Sequence, residues 1–173
     1  PDNTGAVFGC HRRAVSYTWQ QRTERTRAWT KKDVENNRMT SAHVRDQAER
    51  ALADRYERSA AVAARILRST IALNHSHSYV LRKGITPYLA RGDGNGAIVL
   101  PVHSKDGTVQ SLQFISANGT KRFLRGTKLK GGHLFLGEPA DGLSLTLVEG
   151  WATGCTVHEA TGQVTVVCFS GAN

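Results

Sequence analysis

The chain has 173 residues, 39% of them hydrophobic and 21% charged, and its 23 Lys and Arg outnumber 14 Asp and Glu for a formal net charge of +9. That length fits one domain or two small subdomains on a shared core, and the ordinary balance of apolar and charged residues excludes a disordered or fibrous chain. No apolar run approaches the roughly 18 to 20 residues that a membrane-spanning helix needs, so no membrane partner is expected, while the basic excess suits a polyanionic one.

The chain opens Pro1-Asp2-Asn3 with neither an initiator Met nor a basic-then-apolar leader. It reads as a piece of something longer, without a secretory signal and with the cytoplasm as the expected compartment. Cys10, Cys155 and Cys168 stand far apart and form no C-x-x-C pair, which argues against a disulfide framework and against zinc. Residues 1–39 read as a basic N-terminal segment, in which Arg12 to Lys32 holds seven basic residues against Glu24 alone. Trp19 and Trp29 lie in this run. Aromatics among cations can stack single-stranded bases, but core packing is the favoured role of both indoles.

Residues 40–74 predict a long amphipathic helix. From Thr40 to Leu73 the apolar positions Val44, Ala48, Ala51, Leu52, Tyr56, Ala60, Ala63, Ile66, Leu67 and Ile71 recur at threes and fours with no Pro or Gly. Thr40 or Ser41 can cap its start, and its cations read mainly as a solvated face.

Residues 75–142 predict an antiparallel β-rich subdomain. Ala97 to His103 and Thr108 to Ser116 flank Asp106-Gly107, a hairpin signal because Gly tolerates the positive φ of such turns. Asn118-Gly119 then turns the chain into Thr120 to Leu124, completing a three-stranded meander. The densest basic run follows, Lys121, Arg122, Arg125, Lys128 and Lys130 with no acid between them, and Gly131-Gly132 reads as a turn.

Residues 143–173 predict a β-α-β unit: Ser144 to Val148 as an apolar strand, Trp151 to Ala160 as a helix and Val164 to Phe169 as a second apolar strand. Two strands apolar throughout predict a parallel pair buried on both faces. The expected class is therefore α/β, α+β overall: a long N-terminal helix, an antiparallel β-rich subdomain and a Rossmann-like β-α-β.

Glu149-Gly150 stands where the first strand of that unit ends. Ligands gather at the carboxyl ends of strands in open α/β sheets, and Gly150 lets the chain turn there without a Cβ. A carboxylate in such a crevice suits a hard cation such as Mg²⁺ together with phosphate oxygens. A strand-end acid also serves as a solvated side chain or a helix cap, so Glu149 gains weight from the basic run upstream. If the two parts pack side by side, Lys121 and Lys130 face the same crevice, cations for phosphates beside a carboxylate for metal, as phosphoryl transfer requires. No G-x-x-x-x-G-K-[ST] run is present, which excludes a P-loop NTPase for this segment. No G-x-S-x-G elbow surrounds Ser170, and the scattered histidines, His11, His75, His77, His103, His133 and His158 among them, read as surface or capping residues.

These residues resemble a family. Leu147-Val-Glu-Gly-Trp-Ala-Thr-Gly-Cys-Thr-Val-His-Glu-Ala-Thr-Gly162 is similar to the first motif of the Toprim domain in primases of plasmids and phages, the conjugative type included. His77-Ser-Tyr-Val-Leu-Arg-Lys-Gly-Ile85, Leu100-Pro-Val-His-Ser-Lys-Asp-Gly107 and Ser111-Leu-Gln-Phe-Ile-Ser-Ala-Asn-Gly-Thr-Lys-Arg-Phe-Leu124 match further stretches in order. Gly5-Ala-Val-Phe-Gly with Trp19 looks like the segment that follows the family's zinc-binding module. The resemblance covers about residues 75–173. It implies a DNA primase that joins ribonucleotides on single-stranded DNA by metal-dependent nucleotidyl transfer in plasmid or phage replication or conjugation. Its partners would be single-stranded DNA, ribonucleoside triphosphates and a replicative helicase.

By the same resemblance Glu149 is the Toprim glutamate that holds Mg²⁺ or Mn²⁺, and Gly150 its turn. Lys121 and Lys130 resemble basic residues that face nucleotide phosphate and template, and Arg82, Lys83, Arg122, Arg125 and Lys128 are expected nucleic-acid contacts. The family's D-x-D motif and its zinc-binding module lie outside this chain. The intact protein is thus expected to be an enzyme and this chain alone to be inactive, without zinc and without most of the metal ligands. Two alternatives stay open, a non-catalytic single-strand-binding module of Toprim type and a Toprim nuclease or topoisomerase.

Overall fold

The structure, a computed structural model, describes residues 5–10, 15–20, 30–171 and 173. It divides into two compact units, Pro1–Ala48 and Glu49–Asn173.

In the first unit two strands that the sequence pattern does not announce, β1 (Gly5–Cys10) and β2 (Val15–Gln20), form an antiparallel ribbon with Gly5 opposite Gln20 and Cys10 opposite Val15. Tyr17 and Trp19, two residues apart and so on one face of β2, are 57% and 52% exposed. Core packing of Trp19 is therefore overturned, since half of its surface stays open to solvent. Trp29 and the arginines between Arg12 and Arg27 lie outside the described residues.

Helix α1 (Lys31–Ser69) runs across the division between the units. It starts nine residues before the expected Thr40 because Thr30 caps it: the Thr30 hydroxyl accepts from Asp33 N–H at 3.2 Å, and the Asp33 carboxylate accepts from Thr30 N–H at 2.9 Å. This reciprocal pair satisfies donors that a helix start otherwise leaves orphaned. Its end also departs from the expected Leu73. The Ser69 and Thr70 hydroxyls turn back onto the carbonyls of Ile66 and Leu67, and Arg91 then grips Thr70 through its hydroxyl and its carbonyl, both at 2.7 Å. Ile71–Ala72 leaves the helix as β3.

Next come α2 (Ser78–Lys83), β4 (Arg91–Gly92), β5 (Ala97–His103), β6 (Val109–Ser116) and β7 (Lys121–Phe123). The five strands pair antiparallel in the order β3-β4-β5-β6-β7, so the expected meander is present and two short strands extend it. Strand β5 is buried on both faces: Val99 packs with Leu112 and with Ala63, Ile66 and Leu67 of α1, while Ile98, Leu100 and Val102 face the opposite core. Alternation along the strand sends neighbours to opposite faces, and each fully buried side chain is worth about 1.5–3 kcal/mol.

That opposite core is shared with the last elements, β8 (Leu134–Leu136), β9 (Leu145–Val148), α3 (Trp151–Thr161) and β10 (Val164–Val167). Their sheet has the order β8-β10-β9, with β10 parallel to β9 and antiparallel to β8. Leu134, Leu136, Trp151, Cys155 and Val167 meet Ile98, Leu100, Val102 and Ile115 in one cluster. Reciprocal backbone hydrogen bonds between His103 and His133, at 2.8 and 3.0 Å, join the two sheets directly.

The parallel β-α-β is as expected, and β10 is buried at all four residues. Strand β9 is not buried on both faces: Leu145 and Leu147 are 49% and 69% exposed. It lies at the sheet edge, and these two leucines stay largely open to solvent. No described helix is long and apolar enough to cross a membrane.

Candidate functional site at the carboxyl ends of β9 and β10

The site grows from the packing of α3. Gly154, on the buried face of the helix, sits so close to the sheet that a Cβ there would stand 2.9 Å from Val167 and 3.1 Å from Val148. Trp151 in the first turn is fully buried, donates its indole N–H to the Tyr88 carbonyl at 3.0 Å and stacks with Tyr79 at 6.5 Å between centroids. Cys155, one turn on, is inert, since burial pushes its thiol up to about 12. The start of α3 is thus fixed, and with it the turn that carries Glu149 and Gly150.

Gly150 caps α3 in an extended conformation at φ −110°. A Cβ there would stand 3.5 Å from the Lys121 ammonium nitrogen, an ordinary contact distance, so the lysine head lies beside this turn. The Glu149 carboxylate reaches to 3.9 Å from the position of a Cβ on Gly171, just past β10. Glu149 and Lys121 are both exposed, the first at the end of β9 and the second at the start of β7, and the Lys121 head beside Gly150 places the two on either side of a shallow crevice at this turn. The strand carrying Lys121 is held to this end by Phe123, whose ring meets the Phe169 ring edge to face.

Lys130 reaches the same end of the sheet by another route. Gly131 and Gly132 bond to the side chain of Asn173, which also bonds the carbonyl of Cys168 at the end of β10. As expected, Gly131-Gly132 forms a turn.

Other expected contacts are dispersed. Arg122 lies on the opposite face of β7 from Lys121 and in register with Phe114, which packs toward α1. The turn of Arg125 lies beside α1, where a Cβ on Gly126 would stand 3.5 Å from the Ser59 hydroxyl. Arg82 donates to the Ala117 carbonyl at 3.0 Å and lies over the Tyr79 ring, so it holds the 116–119 turn. Lys83 lines a cleft of about 240 Å³ with Thr153 and Thr156 on the outer face of α3. Lys128 is exposed in the loop ahead of Lys130. Two histidine roles are of the expected kind or close to it: His77 caps α2 by accepting from Tyr79 N–H, and the His158 ring N–H donates to the Gln163 carbonyl at 2.7 Å.

Among the described residues no three of His, Cys, Asp and Glu gather to hold a metal ion. Glu149 is a single carboxylate, which does not make a metal site by itself. What the crevice offers is charge: an ammonium group and the N-terminal turn of α3, both favourable to a phosphate, beside one carboxylate.

Among curated proteins the chain is 31% identical over 124 residues to DNA primase TraC of Escherichia coli, an overlap of 68% of this chain and 12% of that protein. The relationship is to DNA primases. A second Escherichia coli DNA primase TraC is 32% identical over 81 residues, covering 43% of this primase-like chain and 5% of that protein. The chain therefore spans only about an eighth or less of the length of these curated relatives. No family model and no solved structure matches it.

Proposed function

We propose that the intact protein is a DNA primase that copies single-stranded DNA into RNA primers from ribonucleoside triphosphates, in plasmid or phage replication or conjugation, with a replicative helicase as partner. The observation that carries this reading is the similarity to DNA primase TraC across 68% of the chain. The crevice supports it chemically, because Lys121 beside the Glu149-Gly150 turn pairs a cation for phosphate with a carboxylate at the strand end.

In this reading the β-α-β unit is of Toprim type. Lys121, Lys128 and Lys130 bind the phosphates of template and nucleotide, and Glu149 contributes one ligand to a Mg²⁺ or Mn²⁺ ion whose other acidic ligands come from outside the described residues. The metal supplies charge neutralisation at the transferred phosphoryl group when bound. This chain's own part is to bind and orient polyanions.

The test is ribonucleotide incorporation on single-stranded circular DNA by the intact protein, with and without Mg²⁺ or Mn²⁺. Metal-dependent primers of RNA are the expected result. Salt-sensitive binding of the strand with no synthesis would replace this reading by that of a non-catalytic single-strand-binding module.

A further inference from the structure

Three hydrogen bonds converge on the carboxamide of Asn173. Its Oδ1 accepts from Gly131 N–H at 2.6 Å, and its Nδ2 donates to the carbonyls of Gly132 at 2.5 Å and Cys168 at 2.8 Å. Both amide hydrogens are used, and donor and acceptor lie in the fixed plane that lets an amide side chain stand in for a stretch of backbone. One side chain thus bridges the turn that follows Lys130 to the end of β10.

The two ends of the bridge are themselves fixed. Gly132 is seated against β5, where a Cβ would collide with Val102 Cγ1, and its N–H closes the turn on the Leu129 carbonyl at 2.8 Å. Cys168 N–H donates to the carbonyl of Val148 at 2.8 Å, the residue directly before Glu149. The chain comes back to the turn after Phe169, which adopts φ +65°, a left-handed conformation rare for a residue with a Cβ, and is held in it by burial against Phe123. The Asn173 carboxamide therefore ties the exposed Lys128–Lys130 arm to the same strand ends that carry Glu149.

We propose that Asn173 is a positioning residue: it holds the Lys128–Lys130 arm at the carboxyl end of β10, pre-ordered to receive the phosphodiester backbone of a single strand. This inference rests on the single-strand-binding part of the function proposed above. An arm already ordered does not lose its freedom on binding, which is what a loose loop of the same charge would have to do. Asn173 itself contacts no phosphate, and its effect passes through the two lysines.

The experiment is a double-mutant cycle on this chain, measured as anisotropy of a fluorescent oligothymidylate at low salt. Asn173→Ala is expected to weaken binding about fivefold to tenfold, and to have almost no further effect when Lys128→Ala and Lys130→Ala are already present, because coupled residues do not add. Asn173→Asp, of the same size, keeps the acceptor for Gly131 but loses both donors, and is expected to behave like the alanine variant. Hydrogen exchange of the Gly131 amide reads the clamp without nucleic acid; protection in the unaltered chain and fast exchange in both variants are expected.

An additive cycle overturns the positioning role while leaving strand binding standing, as does protection of Gly131 that persists without the Asn173 carboxamide. Absence of strand binding by the unaltered chain, with Gly131 still protected, overturns the functional reading together with the inference that rests on it.

Discussion

The rings of Phe123 and Phe169 meet edge to face, 6.1 Å apart between centroids at an interplanar angle of 81°. Phe123 ends the strand that Lys121 begins, and Phe169 follows β10, so this packing fastens the cationic strand to the end of the sheet that presents Glu149. Phe169→Ala deletes the ring but keeps the left-handed backbone, and is expected to destabilise the chain by about 3 kcal/mol, at the lower end of the usual cost for truncating a buried Phe. A lowered urea midpoint with unchanged slope would show it. A loss below about 1 kcal/mol, typical of a surface substitution, would contradict the anchoring role.

Gly154 places α3 on the sheet. In an exposed helix Gly→Ala gains about 1 kcal/mol from propensity; here the new methyl would meet Val167 at 2.9 Å, Val148 at 3.1 Å and Leu136 at 3.2 Å. Overpacking of this kind costs about 1–3 kcal/mol. Gly154→Ala is therefore expected to lower the thermal midpoint, and a raised midpoint would show that α3 can lift from the sheet without penalty.

Acid should loosen the junction between the two sheets. Burial first, and the neighbouring His133 second, hold the His103 imidazole below the ordinary histidine value. The unfolded chain then binds the proton more readily than the folded one. The stability that neutral His103 permits is complete above about pH 6.5, the unfolded value, and is lost as pH falls through that value toward the lower folded one. Denaturant melts from pH 8 to pH 5 should show this decline, and His103→Gln should flatten it. A decline of the same size in the variant would place the titrating group elsewhere.

The dispersal of the basic run separates its members by function. Lys121 borders the Glu149 crevice and the Lys128–Lys130 arm is tied to β10, whereas Arg122 and Arg125 lie toward α1. Each phosphate that a removed cation leaves unneutralised lowers the salt slope of single-strand binding by about 0.7. Neutralising Lys121, Lys128 and Lys130 together should reduce the slope by about 2, and neutralising Arg122 and Arg125 should change it less. Equal reductions would mean that the strand follows the whole run rather than the crevice.

Much of this architecture is legible in local chemistry. Asp106-Gly107 marks the β5–β6 hairpin, the apolar runs on either side of Trp151 to Ala160 mark a parallel β-α-β, and Glu149 stands at the strand end that its neighbours imply. What escapes depends on partners distant in the chain. β3, β4 and β8 are two or three residues long, too short for any periodicity, and exist because distant strands offer them hydrogen bonds, β5 to β4, β4 in turn to β3, and β10 to β8. The start of α1 is set by the Thr30–Asp33 pair rather than by apolar spacing. The bare leucines of β9 read as core because a sequence does not say which strand will stand at an edge. In the site, Lys121 is found from charge and order, and Asn173 is not. A lone Asn after Ser170-Gly171 carries no signal until the fold brings Gly131 and Gly132 to it.

The most direct test of a reaction at Glu149 compares the intact protein with its Glu149→Gln variant, measuring ribonucleotide incorporation on single-stranded DNA and, in parallel, binding to the same strand. Primer synthesis is expected to be lost and binding retained, because the glutamine keeps the size of the side chain and removes the charge at the end of β9. Synthesis that survives the substitution would contradict the placement of the reaction in the crevice between β7 and the end of β9.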